Sequence, residues 1–142
     1  MKQTLPIEII ELENNNFHLL LEGRFQDRTI GHWIIDTGAS KSVFDKNLTE
    51  YFKSIEPGDD EEFHSAGINE GTVETAVGEI KRVKFGKLKL KNIHVALINL
   101  DHVNDIYRRY HDVRIVGLLG GDILKKYSAV IDYGKKEIIF SD

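Results

Sequence analysis

Residues 33–40 read Trp-Ile-Ile-Asp-Thr-Gly-Ala-Ser, an apolar run that ends on one carboxylate and a glycine-containing turn. The first three residues are typical of a buried strand. Asp36 at the end of that strand would place a charge at the edge of an apolar core, where lost solvation costs free energy. Thr37 adds a hydroxyl beside the carboxylate, Gly38 permits a tight turn, and Ala39 keeps the surroundings small. This arrangement indicates a functional site.

Two later segments are also rich in apolar residues, and the first of them carries three glycines. Residues 115–124 read Ile-Val-Gly-Leu-Leu-Gly-Gly-Asp-Ile-Leu. Residues 127–133 read Tyr-Ser-Ala-Val-Ile-Asp-Tyr and are followed by Ile-Ile-Phe at residues 138–140. The polar residues and the glycine between these last two runs predict a hairpin.

In this order, the three segments resemble those of the retropepsin-like aspartic proteases, including the bacterial single-domain members of that family. Residues 36–40 are similar to the family's Asp-Thr-Gly active-site loop, and residues 115–124 to its apolar-apolar-Gly segment and the helix after it. Residues 127–140 are similar to the closing hairpin. The resemblance implies an all-β, retropepsin-like closed barrel or sandwich with one or two short helices. It also implies an aspartic-type endopeptidase that cleaves peptide or protein substrates.

Length and composition set the other bounds. With 142 residues and 41% apolar residues, the chain is expected to form one protease domain over residues 1–142. The absence of cysteine excludes thiol catalysis and thiolate metal sites. The six histidines are dispersed without a zinc motif, so neither a metal nor another cofactor is expected. A net charge of −4 gives no overall preference for nucleic acid.

The distribution of apolar residues also bears on location. Residues 1–8 lack the apolar centre of a signal peptide. No stretch approaches the roughly 20 apolar residues that a membrane span needs. The chain is therefore expected to be cytoplasmic and to have no membrane partner.

Short β-favouring runs recur between turn signals along the chain. They predict strands over residues 7–12, 17–22, 29–35, 72–85, 88–100, 114–118, 128–131 and 137–140. Residues 46–52 are expected to form a short helix, and Asp122 is a candidate N-cap for a helix over residues 123–127. The polar segment 99–112 is expected to cross the surface and could be helical. In residues 81–91, lysines alternate with apolar residues, which favours a half-buried strand pair over a nucleic-acid site.

Asp36 has a structural interpretation as well as a catalytic one, because aspartate before Thr-Gly often caps a turn with its own side chain. The resemblance favours catalysis, in which two aspartates hold one water molecule and share a proton. The chain has only one Asp-Thr-Gly. Asp122 and Asp132 are the alternatives for a second aspartate, but a helix start and a hairpin turn explain them.

We therefore expect a homodimer in which Asp36 from each subunit completes the pair. The family resemblance implies that the Thr37 hydroxyl bonds to the partner's loop. Viral relatives carry an Asp two residues beyond the catalytic Gly and an Arg at the helix start. Here Ser40 and Gly121 stand at those positions, so the resemblance does not extend to the viral dimer architecture.

Substrate binding is expected around this loop and beneath a flap over residues 63–78. Ala66, Gly67 and Ile68 belong to the predicted flap tip, although the same sequence is also typical of an ordinary hairpin turn. Leu118 and Leu119 are candidate pocket walls that could equally be core residues. The alternative function is a noncatalytic peptide-binding or dimerisation module that retains the protease fold.

Overall fold

The computed structural model describes residues 1–56 and 76–142, which form strands and two short helices. The strands are β1 (Lys2–Pro6), β2 (Glu8–Glu11), β3 (Phe17–Phe25), β4 (Ile30–Ile35), β5 (Val43–Asp45), β6 (Phe52–Ile55), β7 (Val77–Phe85), β8 (Leu88–Ile98), β9 (Ile115–Leu119), β10 (Val130–Asp132) and β11 (Glu137–Ser141). The helices are α1 (Asp101–Arg108) and α2 (Gly121–Lys126). Neither they nor any other described segment could cross a membrane as a helix.

The strands form a closed barrel and a smaller separate sheet. The larger sheet has the order β2-β3-β4-β9-β5-β8-β7-β6, and an additional pairing between β3 and β7 closes six of these strands into a ring. Strands β4 and β9 run parallel, as do β5 and β8. Strands β1, β11 and β10 make an antiparallel three-stranded sheet. The expected all-β closed barrel with one or two short helices is confirmed.

The barrel interior is packed around Trp33, which is fully buried on β4. Its ring lies 5.5 Å from that of Phe44 and 5.7 Å from that of Phe85. Glycine is required beside it, because a Cβ at Gly117 would lie 2.5 Å from the Trp33 ring and one at Gly23 would lie 2.8 Å from it. The close fit fixes β4 against β3 and β9, and so fixes the point where β4 ends.

A second apolar cluster lies between the barrel and α1. Its buried members are Ile10, Leu12, Leu20, Leu100, Tyr107 and Ile115. The buried Asn104 of α1 donates its side-chain amide to the carbonyl oxygens of Leu100 and Ile115 and accepts the Ile115 N–H. These bonds hold α1 against β9 and satisfy polar groups that would otherwise be buried unpaired.

Replacing Asn104 with alanine should therefore destabilise the fold. The loss should be about 3 kcal/mol, because the N–H and carbonyl of Ile115 would lose their side-chain partner in an apolar setting, whereas the Leu100 carbonyl keeps the backbone N–H of residue 104. Urea unfolding measures it, with His102→Ala, an exposed substitution on the same helix, as the control. Equal midpoints for the two variants would show that Asn104 does not anchor α1.

Some elements differ from the sequence expectation. Residues 46–52 form only a single 3₁₀ turn at Thr49–Tyr51 before β6. The helix prediction there is wrong because the Asp45 carboxylate accepts the Asn47 N–H, a local bond that competes with helix, and Phe52 pairs with Ile80 on β7. The expected strand over residues 7–12 is β2 at Glu8–Glu11, and β1 at Lys2–Pro6 precedes it as a strand that was not expected.

The expected strand pair with lysines on its outer face is confirmed. Strands β7 and β8 form a hairpin that places Arg82 opposite Lys91 and Lys84 opposite Lys89. The alternate residues on both strands are buried in the barrel. The pKa of Lys89 is lowered, mainly by the charge of Arg82 and then by partial burial and by Lys84 and Lys91. The basic face thus results from the alternation of the two strands.

Candidate active site

The Asp36 loop begins where β4 ends. Asp36 N–H donates to the carbonyl of Leu119 at 2.9 Å, which continues the parallel pairing of β4 and β9 by one bond. Ala39 N–H then donates to the Asp36 carbonyl at 3.2 Å and closes a tight turn. Asp36 is half-buried, whereas Thr37 and Gly38 are exposed at the tip of the turn. The barrel thus presents the Asp36 carboxylate near its surface.

The Asp36 carboxylate has one bonded oxygen. Its Oδ1 accepts the Gly38 N–H at 3.0 Å, which is the turn-capping bond expected from the structural interpretation. No other described residue forms a hydrogen bond or ion pair with this carboxylate. The turn therefore orients the side chain, and Oδ2 has no partner among residues 1–56 and 76–142.

A buried hydrogen-bond network holds this loop against the start of α2. Ser42 Oγ donates to Asp122 Oδ1 at 2.7 Å and accepts the Gly120 N–H at 2.9 Å. Ser42 N–H donates to Asp122 Oδ2 at 3.1 Å. Gly121 N–H donates to the carbonyl of Ala39 at 2.7 Å. The loop is thus held by hydrogen bonds to a segment about 80 residues later in the chain.

Asp122 is therefore not an N-cap. Helix α2 begins at Gly121 after Gly120, and no side chain caps it. The Asp122 carboxylate lies in the first turn, where it accepts the Ile123 N–H and both Ser42 donors. The N-cap prediction is wrong because the bonds to Ser42 draw this carboxylate toward the Asp36 loop. Asp132 accepts the Lys135 N–H at 2.9 Å in the hairpin turn.

Ser42→Ala should destabilise the protein by about 2–3 kcal/mol, because it removes the Oγ bond to a carboxylate and leaves the buried Gly120 N–H without an acceptor. Urea unfolding measures this loss. Ser40→Ala in the same loop is the control, since Ser40 is exposed and its replacement should cost less than about 0.5 kcal/mol. If both variants unfold at the same urea concentration, the network does not hold the loop.

A groove of about 550 Å³ opens beside Asp36. Its other lining residues come from the β2–β3 hairpin, β4, β9, α1 and the β10–β11 turn: Leu12, Glu13, Asn16, Phe17, His18, Leu19, Ile34, Ile35, Val103, Ile106, Tyr107, Leu118 and Tyr133. Most of this lining is apolar, which suits a cleft that receives side chains of a bound peptide.

The predicted substrate-binding residues fall in different places. Leu118 lines the groove, and Ala39 is half-buried in the Asp36 loop. Leu119 is fully buried in the barrel core and reaches the site only through its carbonyl oxygen. The predicted flap tip, Ala66, Gly67 and Ile68, lies outside the described residues.

Sequence reasoning missed three residues of this region. Ser42 lies near Asp36 in sequence, but nothing local shows that Asp122 is its partner. His18 and Tyr107 line the groove, and His18 Nδ1 lies 2.5 Å from the Tyr107 hydroxyl. Burial raises the pKa of Tyr107 far above its usual value, so the hydroxyl stays protonated. Only the docking of α1 brings this pair together.

One group of possible metal ligands occurs among residues 1–56 and 76–142. Glu8, Glu22 and His32 place their ligand atoms within 4.8 Å of one another on β2, β3 and β4. Sequence spacing could not reveal this group, because its members come from three strands. His32 is four residues from Asp36 along β4, or about 13 Å at the usual strand rise. The group is therefore separate from the Asp36 site.

Comparisons with known proteins bear on the fold and the family. A family model described as aspartyl protease matches residues 21–123. No curated protein matches the chain. The chain is similar to a retropepsin-like aspartic protease from Rickettsia conorii, with 19% identity, a TM-score of 0.50, and coverage of 99% of this chain and 90% of that one. It is also similar to the retroviral protease-like domain of Ddi1 from Leishmania major, with 16% identity, a TM-score of 0.48, and 82% of each chain covered.

Proposed function

Because the chain belongs to the aspartyl protease family, we propose that it is an aspartic endopeptidase whose catalytic pair consists of Asp36 and the same residue of a second copy. The observation that carries this proposal is the Asp36 carboxylate. It stands at the end of β4 beside a groove, with Oδ1 oriented by the Gly38 N–H and Oδ2 unpaired among the described residues. A carboxylate in this state can accept a proton from water.

Peptide hydrolysis by this route requires a second carboxyl group. One carboxylate takes a proton from the attacking water, while the other, protonated, donates to the carbonyl oxygen of the scissile bond. The resulting gem-diol collapses as the leaving nitrogen takes up a proton. Two carboxyl groups about 3 Å apart share one proton in the resting state, which supplies both roles. One copy of the chain carries one Asp-Thr-Gly.

The other two candidate aspartates support a partner subunit rather than an internal pair. Asp122 is bonded to Ser42 and Ile123, and Asp132 caps its own hairpin turn. Each carboxylate therefore has a structural role. The second carboxyl group is supplied most simply by a copy related by a two-fold axis through the Asp36 loop.

The surface around the groove also suits a second copy. Phe17 and Tyr133 line the groove with 54% and 63% of their surface exposed. Val130 is 55% exposed on β10, which is an edge strand of the three-stranded sheet. Exposed aromatic and β-branched side chains at an open sheet edge are typical of an interaction surface.

Substrate would lie extended across the Asp36 loop, where main-chain hydrogen bonds hold it in the manner of an added strand. Ala39 and Leu118 are the proposed contacts beside the dyad. A covering role for Ala66, Gly67 and Ile68 stays a prediction, as do the single domain over residues 1–142 and a cytoplasmic location. In the proposed reaction, Thr37 and Gly38 shape the loop, and no cofactor is needed.

Light scattering and a mixed-peptide digest together test the proposal. The expected mass in solution is twice the 16.2 kDa of one chain. Cleavage should be found within about pH 4 to 7, where a proton-sharing pair can act, and a statine-type inhibitor should compete with substrate. A monomer that cleaves no peptide in that range would instead favour the noncatalytic binding module.

A further inference from the structure

The lining of the groove includes a hydrogen-bonded polar pair, His18 and Tyr107. Tyr107 is a buried residue of α1, and its hydroxyl has His18 Nδ1 as its hydrogen-bond partner at 2.5 Å. His18 is half-buried on β3. The pair belongs to no step of the hydrolysis described above, so its place in the groove calls for another role.

The buried hydroxyl determines which nitrogen of His18 carries the proton. Burial raises the pKa of Tyr107 and keeps its hydroxyl protonated, and a buried hydroxyl hydrogen needs an acceptor. Among the described residues that acceptor is His18 Nδ1. The neutral imidazole then holds its own proton on Nε2. His18 therefore presents an N–H donor rather than an acceptor.

This donor is accessible, and it belongs to the same groove as Asp36. Nε2 has no partner among the described residues. It is also not buried, because the only buried side-chain polar atom without a partner in that part of the chain is Trp33 Nε1. The β3–β4 register places Leu20 opposite Ile34. His18 and Asp36 each lie two residues beyond this pair on their own chain segment, and both line the groove.

We propose that this groove is the side-chain subsite next to the scissile bond, and that the His18 Nε2–H selects a tyrosine side chain by donating to its hydroxyl oxygen. The inference rests on the proposed protease function, and the two-fold dimer would place one such subsite on each side of the dyad. His18 is thus a specificity-determining residue, and Tyr107 positions its ring.

The lining argues for tyrosine over other side chains with a terminal oxygen. Ile34, Val103, Ile106 and Leu118 give apolar walls that suit an aromatic ring and leave an aliphatic amide poorly solvated. Glu13 also lines the groove and repels a carboxylate. Phenylalanine fits the same space but leaves the Nε2–H without its acceptor.

Cleavage of two peptides that differ only by tyrosine or phenylalanine beside the scissile bond tests the selection. The wild-type protein should favour the tyrosine peptide by about tenfold in kcat/KM, the value of one good hydrogen bond. His18→Phe should lose this preference, whereas His18→Gln, which keeps a side-chain N–H, should retain part of it. The control His102→Phe changes an exposed histidine on α1 and should behave as wild type.

A binding measurement separates this inference from the proposed catalysis. Asp36→Asn protein should bind the uncleaved tyrosine peptide about tenfold more tightly than the phenylalanine peptide. The ¹⁵N signal of His18 Nε2 should move only with the former. Preferential binding of the tyrosine peptide, together with a wild-type protein that cleaves neither peptide, would overturn the catalysis and support the subsite. Efficient cleavage with equal affinity for both peptides, or no binding of either, would overturn the subsite.

Discussion

Asp36→Asn is expected to lower kcat/KM for peptide cleavage by about 10³-fold or more. The amide has the size of the carboxylate and can still accept the Gly38 N–H through its oxygen, so the turn should persist. It cannot take a proton from water, which removes general base catalysis from the pair. Initial rates on a fluorogenic peptide measure the loss, while thermal unfolding and light scattering should show an intact, dimeric protein.

Asp112→Asn is the matched control for this prediction. Asp112 is exposed, and the same exchange there should leave the rate within twofold of wild type, about 0.4 kcal/mol in the barrier. A fully active Asp36→Asn protein would show that this carboxylate does not perform the hydrolysis. Loss of activity together with loss of the folded dimer would show instead that the exchange acts on the fold and not on the chemistry.

Gly120→Ala is expected to displace the active-site loop. A Cβ at this position would lie 2.7 Å from the carbonyl oxygen of Ala39 and 2.8 Å from the carbonyl carbon of Lys41. These are backbone atoms and cannot rotate away, so the loop itself must shift. The expected cost is about 1–3 kcal/mol in the free energy of unfolding. A loop shift of about 1 Å should also lower kcat/KM by about 10²-fold.

Gly121 provides a control at the next residue. A Cβ there would lie 3.6 Å from the carbonyl oxygen of Ala39, an ordinary contact, and alanine favours the helix that begins at this position. Gly121→Ala should therefore remain active and be as stable as wild type. Urea unfolding and initial rates on both variants check the pair, and equal behaviour would show that the close approach of Gly120 to the loop does not matter.

The Asp36 loop was predictable because its signal is local. An apolar β-branched run followed by Asp-Thr-Gly describes a strand, its end and a turn within eight residues. The alternation of lysines with apolar residues along residues 81–91 likewise predicted a strand pair with one face in the barrel interior and the other toward solvent. In both places the side-chain period and the tertiary environment agree.

The supporting residues were not predictable, because their signal is tertiary. Ser42 and Asp122 meet across about 80 residues, and either could be read locally as an ordinary polar residue. Tyr107 reaches His18 only because Asn104 anchors α1 to β9. The helix predicted over residues 46–52 failed for a related reason, since pairing of Phe52 with β7 overrides local helix propensity.

The metal-ligand group on β2, β3 and β4 illustrates the same limit. Glu22 and His32 are opposite each other in the β3–β4 register, and Glu8 joins them from β2. Each residue reads in sequence as a polar position on an alternating strand. Only the pairing of three strands brings their ligand atoms together.

The central claim is that two copies of Asp36 form one catalytic pair, and a mixed-dimer experiment tests it most directly. Wild-type and Asp36→Asn chains are unfolded, combined in equal amounts and refolded together, and the rate is compared with that of the same total amount of wild-type chain. Random pairing leaves about a quarter of the dimers with both carboxylates, so the account predicts about a quarter of the activity. About half of the activity would mean that each chain works alone, and would contradict it.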